Sequence, residues 1–325
     1  ALDAQGDAQN MRRVMQVSAG VDATISGVTI TGGWFDASGG TAGAGIYSEG
    51  NLRVEGVVFD GNVTGRSGGG LYQYGGALEV IDSEFLNNTA AWGGGGCFYT
   101  NDTTDGILIS GSTFHDNHAV TNGSAGSGTG GGMLIGGVAS APIKVVNSTI
   151  STNDAALQGG GFAVNGSSTL TTFVNATVVR NTTAGAGGGL STLGRTVTLH
   201  NTILAENTNS ATMAASNIAG TLAAASSYNL LGTGVSLPAG AGNFTAADAG
   251  LGDLADNGGP TPTHAPLAGS PAFDSGSIGI LTDLAITLDQ RGLPRVIDSD
   301  LDGVAAPEIG AYEGDADEYF ASLSA

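Results

Sequence analysis

Two marks recur down this chain and drift together. A glycine run followed by an apolar residue falls at Gly45-Ile46, Gly70-Leu71, Gly96-Cys97, Gly132-Met133, Gly161-Phe162 and Gly189-Leu190, in steps of 25, 26, 36, 29 and 28 residues. An apolar residue three before an asparagine falls at Phe59/Asn62, Phe85/Asn88, Phe114/Asn117, Ile150/Asn153, Val178/Asn181 and Leu204/Asn207, in steps of 26, 29, 36, 28 and 26. Marks that stretch and shrink in concert signify a true repeat. A degenerate earlier copy runs from Ser26 to Gly33, with Gly33 in place of the asparagine.

Each unit holds short alternating runs, such as Leu52-x-Val54, Leu78-x-Val80, Ile107-x-Ile109 and Val197-x-Leu199. Period two specifies half-buried strands, and the glycine, asparagine and serine clusters between them specify turns. One such unit cannot bury a core alone, whereas stacked units share one. The solution is a parallel β-helix, each coil bonded to the next at about 4.8 Å. The phenylalanine column then stacks inside and the asparagines form an amide ladder. The glycines are expected at corners needing positive φ. On this reading the Asn-x-Ser/Thr sequons are by-products of the pattern.

The glycine-run and Phe-x-x-Asn repeat resembles the polymorphic-outer-membrane-protein type repeat of bacterial surface proteins. Four later motifs resemble the choice-of-anchor Q domain: Leu254–Thr261, Gly269–Ala272, Asp289–Arg295 and Glu308–Glu313. The resemblance implies a right-handed parallel β-helix on a secreted or surface-anchored protein, and no particular reaction. The expected division is residues 1–247 as coils, regular over 34–207, and 248–325 as a loop-rich cap over the last coil with an acidic tail. The segment Thr121–Gly132, within the longest step, reads as a protruding loop.

Composition narrows the partners. With 9 Lys+Arg against 29 Asp+Glu the net charge is −20, which disfavours nucleic acid and anionic membranes. No apolar run approaches the ~20 residues of a membrane span. No signal peptide is visible, so export requires a leader outside this sequence. The lone Cys97 reads as a small buried residue at an inward position. The chain enters at Leu2-Asp-Ala-Gln-Gly6 already in the repeat style. Upstream coils or another chain are expected over that end, with end-to-end self-association and the Tyr319-Phe320 tail as a strand donor.

Three constellations carry chemistry. Asp298, Asp300 and Asp302 with Gly303 match the start of a calcium loop, with a backbone carbonyl near Val304 and Glu308 as further ligands. Glu308 stands at the eleventh place rather than the twelfth and no flanking helices are evident, so a solvated acidic turn is the alternative. Second, His115, Asp116 and His118 align with Asp154 and Arg180 on neighbouring coils, and Glu206 stands beside Arg180. These are partial ingredients of a polysaccharide lyase, or of a metal site without a clear third ligand; the plain alternative is a cross-coil ion pair. Third, Tyr47, Tyr72 and Phe98, each following an inward mark, should point outward in a row, joined by Tyr74 and Trp92. Such a strip stacks on sugar rings, anchors a protein, or serves as a stabilising ladder.

The expected function is a non-enzymatic extracellular β-helix protein acting in adhesion, carbohydrate contact or assembly. A polysaccharide lyase or glycoside hydrolase is the alternative, because β-helices host both.

Overall fold

The computed structural model describes residues 1–36, 42–100, 106–137, 142–166, 171–299 and 303–314. It is a parallel β-helix whose coils each contribute four short strands to four faces. On the first face lie Met15–Val17, Ile46–Ser48, Leu71–Tyr74, Gly96–Thr100, Met133–Gly137 and Phe162–Val164. The second holds strands such as Asn51–Glu55 and Leu78–Ile81. The two faces merge where Leu190–His200 runs through the corner as one strand of 11 residues. A 10-stranded third face contains Val58–Asp60, Glu84–Leu86, Thr113–His115, Thr149–Ser151, Thr177–Val179 and Ile203–Ala205. The fourth face has 7 strands, each of two residues, such as His118–Ala119 and Asp154–Ala155.

Alternation decides which side chains enter. Phe59, Phe85 and Phe114 are fully buried and stack with centroids 4.3 Å apart at each step, and Ile150, Val178 and Leu204 continue the column. Each buried side chain of this size contributes about 2 kcal/mol through removal from water.

The asparagines at the corner between the third and fourth faces form the expected ladder. Asn62 Nδ2 donates to Asn88 Oδ1, and the relation repeats through Asn117, Asn153, Asn181 and Asn207, at 2.9–3.0 Å, all fully buried. Each Oδ1 also accepts the backbone N–H of the preceding asparagine, and each Nδ2 also donates to the carbonyl of the residue three before that asparagine, as Asn88 does to Phe59 O. The ladder extends one rung beyond the regular repeat, to Asn217. A second, mixed ladder at the corner between the second and third faces escaped the sequence reading. Val57 N–H donates to Ser83 Oγ, Ser83 N–H to Ser112 Oγ, and Ser112 N–H to Ser148 Oγ.

The glycine runs have two causes. The first glycine of a run turns the corner with positive φ, as Gly68 does at 65°. The third is required by close approach: a Cβ on Gly70 would lie 2.7 Å from Gly95 O of the next coil. Positive φ alone therefore explains only part of each run.

One register differs from the sequence reading. Leu71 pairs with Gly96, not Cys97. The run Gly93–Gly96 is one glycine longer than its neighbours, so Gly96 holds the inward position with no side chain. Phe98, two residues on, fills that space: a Cβ on Gly96 would meet its ring at 2.1 Å. Phe98 is thus fully buried, edge-on to Phe85 and Phe114, and does not point outward. Cys97 in turn faces out, buried beneath an outer apolar cluster rather than in the core.

The C-terminal part also differs from the expected cap. The end of the core is closed by Ile218, Leu222, Leu231 and Val235. Residues 249–299 and 303–313 instead run back along the outside of the third face, touching four successive strands. Thr113 Oγ1 donates to Pro262 O, Thr149 Oγ1 to Gln290 Oε1, and Ala311 N–H to Thr177 Oγ1, while Ala249, Leu251, Ala272 and Ile309 pack on Val179, Ile203 and Ala205. The segment carries the one helix among the described residues, Ile278–Leu284. The loop at Thr121–Gly132 is exposed at Thr121 and over 123–126; Gly128 N–H bonds Ala91 O, and 127–132 are buried against the coils.

Replacing Asn117 with Ala leaves the Asn88 backbone N–H and one of its two Nδ2 hydrogens without their acceptor in the interior. The expected cost is about 3 kcal/mol in urea unfolding, against less than about 0.5 for the exposed Thr24→Ala. Equal midpoints for the two variants would show that the ladder does not hold the stack.

Candidate functional site: an aromatic groove on the first face

Outward positions of the first face are set by the same register. Tyr47, Tyr72, Cys97 and Leu134 share one column, and Tyr74, Tyr99 and Gly136 the next. Tyr47 and Tyr72 lie 5.6 Å apart between centroids, and Tyr72 and Tyr74 5.9 Å. Trp92, paired through its backbone with Ser67 and Thr129, joins Tyr72 and Tyr99 over Cys97, Leu134 and Ala163. Tyr99 takes the place expected for Phe98. Its ring lies over Gly136, where a Cβ would stand 2.5 Å from a ring carbon. The signal for Tyr99 was the four-glycine run: counting the repeat from the third glycine puts Tyr99 outward.

These residues line two adjoining depressions of about 470 and 380 Å³ that share Ser67, Tyr72 and Tyr74. The first adds Arg13, Gln16, Tyr47 and Arg66; the second adds Trp92, Tyr99, Leu134 and Asn165. Together they form a continuous groove crossing several coils. Arg13 is held in place by donation to Gly43 O (2.9 Å), Ala42 O (2.7 Å) and Gln16 Oε1 (3.0 Å), and its guanidinium lies 4.9 Å from the Tyr47 centroid. The Tyr47 hydroxyl donates to Glu49 at 2.8 Å. Burial, followed by that bond, pushes the Tyr47 phenol up to about 12; burial pushes Tyr72, Tyr99 and the Cys97 thiol up as well. Among the described residues the groove thus offers rings, hydroxyl and amide groups and guanidinium groups, with neither carboxylate nor histidine in its lining.

The histidine constellation is brought together as aligned, and its less exposed histidine, His115, is closed off. His118 stands beside Asp154 in the backbone register with its own side chain exposed, and Asp154 accepts from Thr182. His115 is gripped from both sides, Nδ1 against Asp116 Oδ2 at 2.8 Å and Nε2 against Glu84 Oε1 at 2.9 Å. Burial opposes its charge, but the two carboxylates prevail and raise its pKa to about 9. An imidazolium with both nitrogens engaged neither accepts a proton nor binds a metal. Arg180 pairs with Glu206 (3.1 Å) and donates to Leu251 O and Gly252 O, so it ties the C-terminal segment to the coils.

The C-terminal motifs form a buried latch. Arg295 bonds Glu313 at 3.2 Å, Gly310 O and Asn147 Oδ1, with neither charged side chain exposed. Asp289 receives the N–H groups of Arg291, Leu293 and Glu313, and the Arg291 guanidinium lies 3.5 Å over Tyr312. Glu308 accepts from Ser299 Oγ, while burial and the neighbouring Glu313 drive its pKa far above the carboxylate range.

Of the calcium set, Asp300 and Asp302 lie outside the described residues. Asp298 Oδ2 accepts from Gly303 N–H, and its Oδ1, like Glu308 Oε2, is buried with no hydrogen-bond partner among the described residues, as a cation ligand would be. Among the described residues no cluster of three metal-ligating side chains occurs.

Residues 13–208, more than half of the chain, match the profile described as right handed beta helix region. The chain belongs to the right-handed β-helix family. No curated protein matches it. This right-handed β-helix protein carries the groove within the matched residues and the latch beyond them.

Because Glu308 keeps in the fold a proton that the unfolded chain releases above about pH 4.5, its contribution to stability is lost as pH rises. Glu308→Gln should flatten the fall of melting temperature between about pH 5 and 9; an unchanged slope would show that Glu308 folds ionised. For Asp298, calcium titration should raise the melting temperature and Asp298→Asn should remove the shift. Calcium and chelator leaving wild type unmoved would dismiss the cation.

Proposed function

We propose that this β-helix is a non-enzymatic carbohydrate-binding protein working outside the cell, in adhesion or assembly on a bacterial surface, with the aromatic groove as its binding site. The continuous row Tyr47, Tyr72, Tyr74, Tyr99 and Trp92 carries the reading. Rings held by the coil spacing offer apolar faces at intervals suited to successive sugars of a chain, while their hydroxyls and the polar side chains of Gln16, Ser67 and Asn165 meet the sugar hydroxyls. Binding rather than cleavage is supported by the lining, which among the described residues has neither carboxylate nor histidine for acid–base work. His115 and Arg180, the residues a lyase would have needed, are consumed by Glu84, Asp116, Glu206 and the C-terminal segment.

Tyr72 sits at the centre of the groove and only partly buried. Tyr72→Ala should weaken binding to a responsive polysaccharide by about tenfold or more, the loss expected for one stacking platform, while circular dichroism melting stays close to wild type. Unaltered affinity in calorimetry would make the strip a structural ladder.

A further inference from the structure

The groove's charge is out of keeping with the molecule's. The chain carries −20, and among the described residues four of its nine cationic residues are taken up by carboxylates: Arg53 by Glu55 and Glu79, Arg180 by Glu206 and Asp253, Arg291 by Asp289, and Arg295 by Glu313. The two arginines of the groove are not. Arg13 spends its donors on two backbone carbonyls and a glutamine, which fixes its position and leaves its positive charge uncompensated. Arg66 is exposed, and among the described residues its guanidinium has no ion pair.

We propose that the groove selects an acidic polysaccharide, one bearing carboxylate or sulfate groups along its length. This rests on the carbohydrate reading above and adds the chemical class. The rings of Tyr72, Tyr74, Trp92 and Tyr99 take the sugar faces, and Arg13 and Arg66, at one end of the same groove, take an acid group. Arginine's planar fork matches carboxylate and sulfate oxygens in a way that a neutral sugar hydroxyl does not exploit. The chain's overall negative charge does not oppose this. Its carboxylates beyond about 8 Å are screened at physiological salt, whereas guanidinium groups in contact are not.

The test uses the full chain and three probes: polygalacturonate for carboxylate, dextran sulfate for sulfate, and unmodified dextran as the neutral control. Binding is read by calorimetry near 0.15 M salt and checked by affinity electrophoresis. At least one acidic polymer should bind and dextran should not, and the two acidic arms decide which acid group is read. Arg66→Ala, which removes no contact within the fold, should weaken the acidic polymer about tenfold, with Arg66→Lys falling between. Tyr72→Ala should weaken it also. If dextran binds as well as the acidic polymers and Arg66→Ala changes nothing while Tyr72→Ala still weakens binding, the acidic selection is wrong and the carbohydrate reading survives. If no polymer of either class binds, both fall. Duplex DNA binding as tightly as the acidic polysaccharides, with Tyr72→Ala without effect, would make the arginines a plain anion-exchange patch and overturn the proposal.

Discussion

Everything in this molecule depends on one constraint: each coil must offer its backbone to the next at one fixed spacing. The strand ladders meet it along the faces, but corners have no strand partner. There the chain substitutes side chains for backbone. The buried asparagines from Asn62 to Asn217 take the N–H groups of one coil and return donors to its carbonyls. A corner satisfied in this way is as repetitive as a strand, which is why the same residue recurs there. The Ser83–Ser112–Ser148 series does the same work with hydroxyls at another corner.

The repeat made the fold legible. Columns such as Phe59–Phe85–Phe114 and Asn88–Asn117–Asn153 follow from spacing alone, because a solenoid maps sequence period onto height. What could not be read was whatever the period does not control. The Gly93–Gly96 run contains four glycines, and sequence does not say which of them opens the strand. The structure decides by volume: Phe98 enters the space a side chain at Gly96 would have occupied. That shift moved Phe98 inside and brought out Tyr99.

The C-terminal region was legible as motif and not as position. Asp289–Arg295 and Glu308–Glu313 look like surface loops rich in charge. Their charges are spent on each other: Glu313 receives Arg295 and the N–H groups of Val296 and Ile297, and Gly310 passes so close to Ile203 and Thr177 that a Cβ would stand 2.9 Å from each. A sequence shows that such residues are present together. It does not show that they lie flat along four coils rather than over the last one, because the contacts with Thr113, Thr149 and Asn201 each span more than a hundred residues.

That lateral segment changes the mechanics of the stack. In a plain solenoid each coil feels only its neighbours, and disorder can enter from either end one coil at a time. Here a single strap is riveted to coils at Gly111, Asn147, Thr177 and Asn201, so those coils open together or not at all. The aromatic groove begins on coils that make no hydrogen bond with the strap among the described residues, at Tyr47 and Tyr72, and ends on coils that do, at Leu134 and Asn165. On the carbohydrate reading proposed above, a polymer lying along the groove would act as a second strap on the opposite side of the core, joining the loosely coupled coils to the riveted ones and lending them the cooperativity they otherwise lack.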